Sequence, residues 1–74
     1  MSRQETIVIY LIQKGCTEVM PPKSRKYRQL ISPKGVTYWI GRAGAIRKGR
    51  TISGSISLTD RINFKQIAEK VREL

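Results

Sequence analysis

The stretch SRQETIVIYLIQKG, residues 2–15, decides the fold, because it reads two ways. Thr6-Ile7-Val8-Ile9-Tyr10 is dense in β-branched and aromatic residues, which suit a strand. The ends of the stretch argue for a helix. Ser2 followed three residues later by Glu5 fits a capping box, in which two side chains satisfy backbone donors that the first turn leaves open. Lys14 suits the negative end of a helix dipole, and Gly15 is a good stop. Ile7, Leu11 and either Val8 or Ile12 can share one face. Both caps agree, so the segment is expected to be a helix.

Working outward, Cys16 to Val19 reads as a short extended piece, and Met20-Pro21-Pro22-Lys23-Ser24 breaks the chain, since two prolines remove two donors. Arg25 and Lys26 continue that loop. Tyr27 to Ile31 is an expected strand, Ser32-Pro33-Lys34-Gly35 a turn of type I composition, and Val36 to Ile40 the returning strand. Gly41-Arg42-Ala43-Gly44 is the next turn. The third strand is 45–48, or 51–58, or one long bent strand covering both; in the second, Ile52, Ile56 and Leu58 alternate with small polar residues. Thr59 reads as an N-cap with Asp60 in the first turn, and Phe64, Ile67, Ala68, Val71 and Leu74 follow helical spacing. The expected fold is therefore α+β: a two-layer domain over residues 1–74, with a three-stranded antiparallel sheet and N- and C-terminal helices on one face, in the order α-β-β-β-α.

Composition bounds the function. The 74 residues carry 15 Lys or Arg, five Asp or Glu and no His, a net charge of +10. Without His, and with Cys16 as the one cysteine, an intrachain zinc site lacks its roughly four ligands. A disulfide framework and a His-based catalyst are excluded on the same count. No metal or cofactor is expected. The longest apolar run, Ile7 to Ile12, falls far short of the roughly 20 residues of a membrane span, and nothing at the start resembles a signal peptide. A cytoplasmic protein without membrane contact is the expectation. Cys16 reads as a small buried contact.

The charge is unevenly placed. Val19 to Thr59 holds no acid and nine bases, so nine of the ten net charges sit there. The two ends nearly balance. An acid-free stretch repels itself and is stabilised when a polyanion neutralises it, which points to a phosphate backbone, RNA or DNA, or to an acidic protein. The candidate contact residues are Arg25, Lys26, Arg28, Arg42, Arg47, Lys48 and Arg50, with Tyr38 and Trp39 as rings on which bases stack. Tyr38 and Trp39 are adjacent, so a strand sends them to opposite faces, and the alternative to stacking is that one ring is core and the other shields a sheet edge. Gly41-Arg42-Ala43-Gly44 has the composition of a small phosphate nest as well as of a plain turn. Ser53, Ser55 and Ser57 read either as phosphate donors or as a solvated strand face.

The segments ETIVIYLIQKGCTEV and KYRQLISPKGVTY carry a resemblance to HicA-type mRNA interferases, relatives of the double-stranded-RNA-binding fold. The segment ETIVIYLIQKGCTEV resembles that family's first helix, ending in a Lys-x-Gly step. The segment KYRQLISPKGVTY is similar to the hairpin that follows, where the family has a Gly-Ser-His-His-x-Phe segment before a Pro-containing turn. Matching Pro33 to that turn sets Leu30 at the Phe position and Tyr27 and Arg28 at the paired histidines. The catalytic His is thus missing. The segment from Arg42 to Thr59 exceeds the family's length, and the lysines that open the second helix in double-stranded-RNA-binding domains are replaced by Asp60-Arg61-Ile62. What the resemblance implies is nucleic-acid binding without cleavage.

The leading expectation is a small non-enzymatic nucleic-acid-binding protein that contacts phosphates through a basic face of the sheet and its loops. The alternatives are a HicA-like ribonuclease toxin relative with an altered active site, and a protein-interaction module docking on an acidic partner. A strand edge left open would allow a homodimer as well as a monomer.

Overall fold

A computed structural model of the protein describes residues 2–59. The caps settle the first segment. Helix α1 runs Arg3–Gln13, and the Ser2 hydroxyl accepts the Glu5 amide at 3.1 Å. At the other end Gly15 takes a φ of +103°, its amide donates to the Ile12 carbonyl at 3.0 Å, and the Cys16 amide donates to the Leu11 carbonyl at 2.9 Å. Those two bonds are the Schellman pattern, with Cys16 and Leu11 as its apolar pair. The β-branched run is tolerated because Ile7, Val8 and Leu11 are almost wholly removed from water. Packing of that face outweighs the weak strand preference.

Five strands follow: β1 Thr17–Glu18, β2 Arg28–Ile31, β3 Thr37–Ile40, β4 Ile46–Lys48 and β5 Ile56–Thr59. They form one antiparallel sheet in sequence order, each strand beside the next. The β2–β3 hairpin pairs Leu30 with Tyr38 and Gln29 with Trp39. Its turn is closed by the Gly35 amide on the Ser32 carbonyl, while the Ser32 hydroxyl accepts the Lys34 and Val36 amides. Alternation then sorts the side chains. Leu30, Tyr38, Ile40 and Ile46 join Ile7, Val8, Leu11 and Cys16 in the core between sheet and α1. Trp39 lies on the opposite face, in register with Gln29 and Arg47, and its indole N–H donates to the Gly49 carbonyl at 2.8 Å. No helix among the described residues is long and apolar enough to cross a membrane.

The α-β-β-β-α expectation is overturned. The sheet has five strands, not three, and the described chain has one helix followed by an uninterrupted meander. The extended piece at 16–19 becomes an edge strand through Thr17↔Ile31 and Glu18↔Leu30. The alternatives offered for the third strand are two different strands, with a register shift between Ile46 and Arg47 where β5 pairs with β4. The segment 51–58 does not run as one strand because its small polar side chains capture backbone groups locally. Thr51 Oγ1 accepts the Gly54 amide at 3.0 Å, and the Ser55 hydroxyl donates to the Ile52 carbonyl. Such bonds compete with the ladder. Thr59, read as a helix cap, pairs with Ile46. The C-terminal helix expected from Asp60 to Leu74 lies outside the described residues.

Gly49 sits at the tight start of the β4–β5 connection. A Cβ there would stand 2.7 Å from Ser55 Cα and 3.2 Å from the Gly54 carbonyl oxygen, both backbone atoms. Gly49→Ala is therefore expected to lose about 1–3 kcal/mol of stability by urea denaturation. An unchanged midpoint would show that this connection does not pack against itself as described.

Candidate nucleic-acid interface

An antiparallel meander sends successive connections to alternate ends of the sheet. Residues 19–27, between β1 and β2, and residues 41–45, between β3 and β4, therefore meet at one end. The turn at 32–36 and the connection at 49–55 meet at the other, where the Gly49 amide donates to the Thr37 carbonyl. The acid-free stretch is thereby divided between two ends about a strand's length apart.

The N-terminus of α1 lies at the first end and anchors it. Gln4 Nε2 donates to the Ile40 carbonyl at 2.9 Å and to the Lys26 carbonyl at 3.1 Å, tying the end of β3 and the 19–27 loop to the helix. The Ser24 hydroxyl accepts the Lys26 and Tyr27 amides, and Arg42 Nη2 reaches the Arg25 carbonyl at 3.4 Å. These contacts shape an open groove of about 730 Å³ with Lys23, Arg25, Arg28 and Arg42 on its walls. Lys23, Arg25 and Arg42 are exposed, and among the described residues none of them is paired with an acid. Lys26 stands beside them, over a smaller recess that shares Arg42. The positive end of α1 adds to the field, partly offset by Glu5 in its first turn.

Arg28 differs from its neighbours. Its guanidinium makes a two-pronged ion pair with Glu18, at 2.7 and 2.8 Å, across the β1–β2 ladder. The Glu18 hydrogen bond holds the guanidinium proton more tightly than usual; burial opposes this, and the charges of Glu18 and Glu5 add to it. Arg28 is thus a structural cation facing the groove, already matched by its own carboxylate.

The remaining sequence candidates are placed elsewhere. Tyr38 is 1% exposed in the core and Trp39 is 3% exposed with its N–H engaged, so neither offers a ring face to a base. Arg47 is half-buried and donates to the Ser55 hydroxyl and carbonyl at 2.6 and 2.8 Å, stapling the 49–55 connection. Lys48 is half-buried and in register with Tyr38. Arg50 is exposed, but at the far end of the sheet. Of the nine sequence candidates, the structure brings together Arg25, Lys26, Arg28 and Arg42. Lys23 and Gln4 belong to the same site and are not among those nine. Lys23 carries a usable sequence signal, its place in the acid-free stretch, whereas Gln4 carries none.

Cys16 is buried as expected, and burial pushes its thiol pKa up, away from the reactive thiolate. Among the described residues no three Cys, His, Asp or Glu side chains gather in one place. The groove's lining offers the cations Lys23, Arg25 and Arg42, the Arg28–Glu18 pair, and the polar side chains of Gln4 and Ser24. Compared with protein-family models, curated proteins and solved structures, the chain matches none.

Glu18→Gln separates the structural and electrostatic parts of this arrangement. Removing the carboxylate is expected to cost about 1 kcal/mol of stability, because the pair is partly screened by water. It also leaves the Arg28 charge unmatched in the groove. Fluorescence anisotropy should then report polyanion binding that is two- to fivefold tighter, and weaker binding would show that Glu18 serves the ligand and not Arg28.

Proposed function

We propose that this chain is a small non-enzymatic nucleic-acid-binding protein that grips the phosphate backbone at the groove end of its sheet. The observation that carries this is convergence. Lys23 and Arg25 come from one connection and Arg42 from another; they meet around one groove with Lys26 beside it, and among the described residues no acid is paired with these exposed cations. A solvated surface more often mixes the two signs. The contact surface in this reading is one end of the domain, not a face of the sheet.

The non-enzymatic part rests on the inventory of groups. A sequence without histidine has no side chain that titrates near neutrality unless its environment shifts one there. Glu18, a carboxylate on the groove's wall, is engaged by Arg28. At the positions where the resemblance sets paired histidines, Tyr27 and Arg28 supply a half-buried ring and an ion-paired cation. In this reading neither takes the place of a proton-transferring histidine.

Four cations, Lys23, Arg25 and Arg42 in the groove and Lys26 beside it, set the salt dependence. Neutralising about four phosphates gives a log–log slope against salt of about −4 on duplex DNA and about −3 on single strands. Arg25→Ala combined with Arg42→Ala should weaken binding tenfold or more and reduce the slope by about two. Lys34→Ala combined with Arg50→Ala, at the opposite end, should change neither. Equal losses from the two pairs would overturn the assignment of the groove, and a slope near zero for the unmodified protein would overturn nucleic-acid binding itself.

A further inference from the structure

Beside the groove lies a recess of about 200 Å³ lined by Lys26, Tyr27, Gly41, Arg42, Ala43 and Ala45. Its chemistry differs from that of the groove. Besides its two cations it is lined by Tyr27 and by small residues, Gly41, Ala43 and Ala45, and a Cβ at Gly41 would come within 3.3 Å of both Ala45 Cβ and Tyr27 Cε1. The absence of a side chain at Gly41 keeps the backbone low against the Tyr27 ring. Tyr27 is half-buried, unlike Tyr38 and Trp39, and it lines the recess. The volume holds about six or seven waters, the space of one planar ring system and not of a whole nucleotide. Arg42 lines both cavities.

We infer that this recess receives a single unpaired base, whose own phosphate is held on the groove side by Arg42. The inference rests on the reading of the groove as a phosphate site and names what that site prefers. A phosphate neutralised at Arg42 sets its sugar at the lip between the two cavities, so the attached base is the group within reach of the recess. Tyr27 and the two alanines give it an apolar slot and a ring to pack on. A base inside a regular duplex is stacked on both sides and cannot enter. The preferred ligands are therefore strands with free bases: single strands, loops, bulges or ends.

The test compares two single strands of equal length and charge, oligothymidylate and the same backbone made abasic, by fluorescence anisotropy at one salt concentration. Stacking of one base predicts that the base-bearing strand binds about 5- to 150-fold more tightly. Ala43→Leu, an exposed position whose longer side chain fills the recess, should bring oligothymidylate down to the abasic affinity and leave abasic binding unchanged. Tyr27→Leu should do the same by removing the ring. Equal affinity of the two strands for the unmodified protein overturns the inference while leaving the phosphate groove standing, as does equal weakening of both strands by Ala43→Leu. Failure of every strand and of duplex DNA to bind at low salt overturns the groove reading itself.

Discussion

Strands of two to four residues hold few ladder hydrogen bonds each, so the sheet depends on what covers it. That cover is the Ile7-Val8-Leu11 face of α1, lying on Leu30, Tyr38, Ile40 and Ile46. Fully burying one such side chain contributes about 1.5–3 kcal/mol, while a small domain of this kind keeps only a few kcal/mol in hand. The docking of α1 therefore sets the rest. It fixes which pleat of each strand faces inward and sends Trp39 and Arg47 to the other side. It also brings Gln4 to the two carbonyls that shape the groove. The fold and the site share one support.

The parts of this design that were legible in the sequence are those with local causes. The helix over residues 2–15 could be read because its caps are local, and the Ser2–Glu5 bond and the Gly15 stop are both present. The hairpin around Ser32-Pro33-Lys34-Gly35 could be read for the same reason. What escaped has non-local causes. Two residues at Thr17–Glu18 are too few to display a period, and they become a strand only because β2 offers an open edge. The alternation of Ile52, Ile56 and Leu58 with serines imitates a strand, but hydroxyl-to-backbone bonds turn the first half of it into a loop. The opposite placement of Tyr38 and Trp39 was legible from pleating; their burial depended on partners that no sequence window contains.

The charge teaches a related lesson. A run of nine bases without an acid looks like one continuous positive surface. Folding as a meander distributes it by topology, because consecutive loops cannot share an end. Arg25 and Arg42 are seventeen positions apart and meet, whereas Arg42 and Arg50 are eight apart and do not. Two arginines are engaged within the fold, Arg28 in its ion pair with Glu18 and Arg47 in hydrogen bonds to Ser55. Linear charge density thus does not say which cations meet; strand order decides that.

Strand order also governs how the domain is made. Every pairing in the sheet joins neighbours in the chain, so each closes a loop of modest length. Loop closure of this kind costs little entropy, and proteins rich in such near-neighbour contacts fold fast for their class. The helix and the first three strands, everything that frames the groove except the residues past Ile40, leave the ribosome before β4 and β5. The groove end of the molecule can begin to assemble while the rest is still being synthesised.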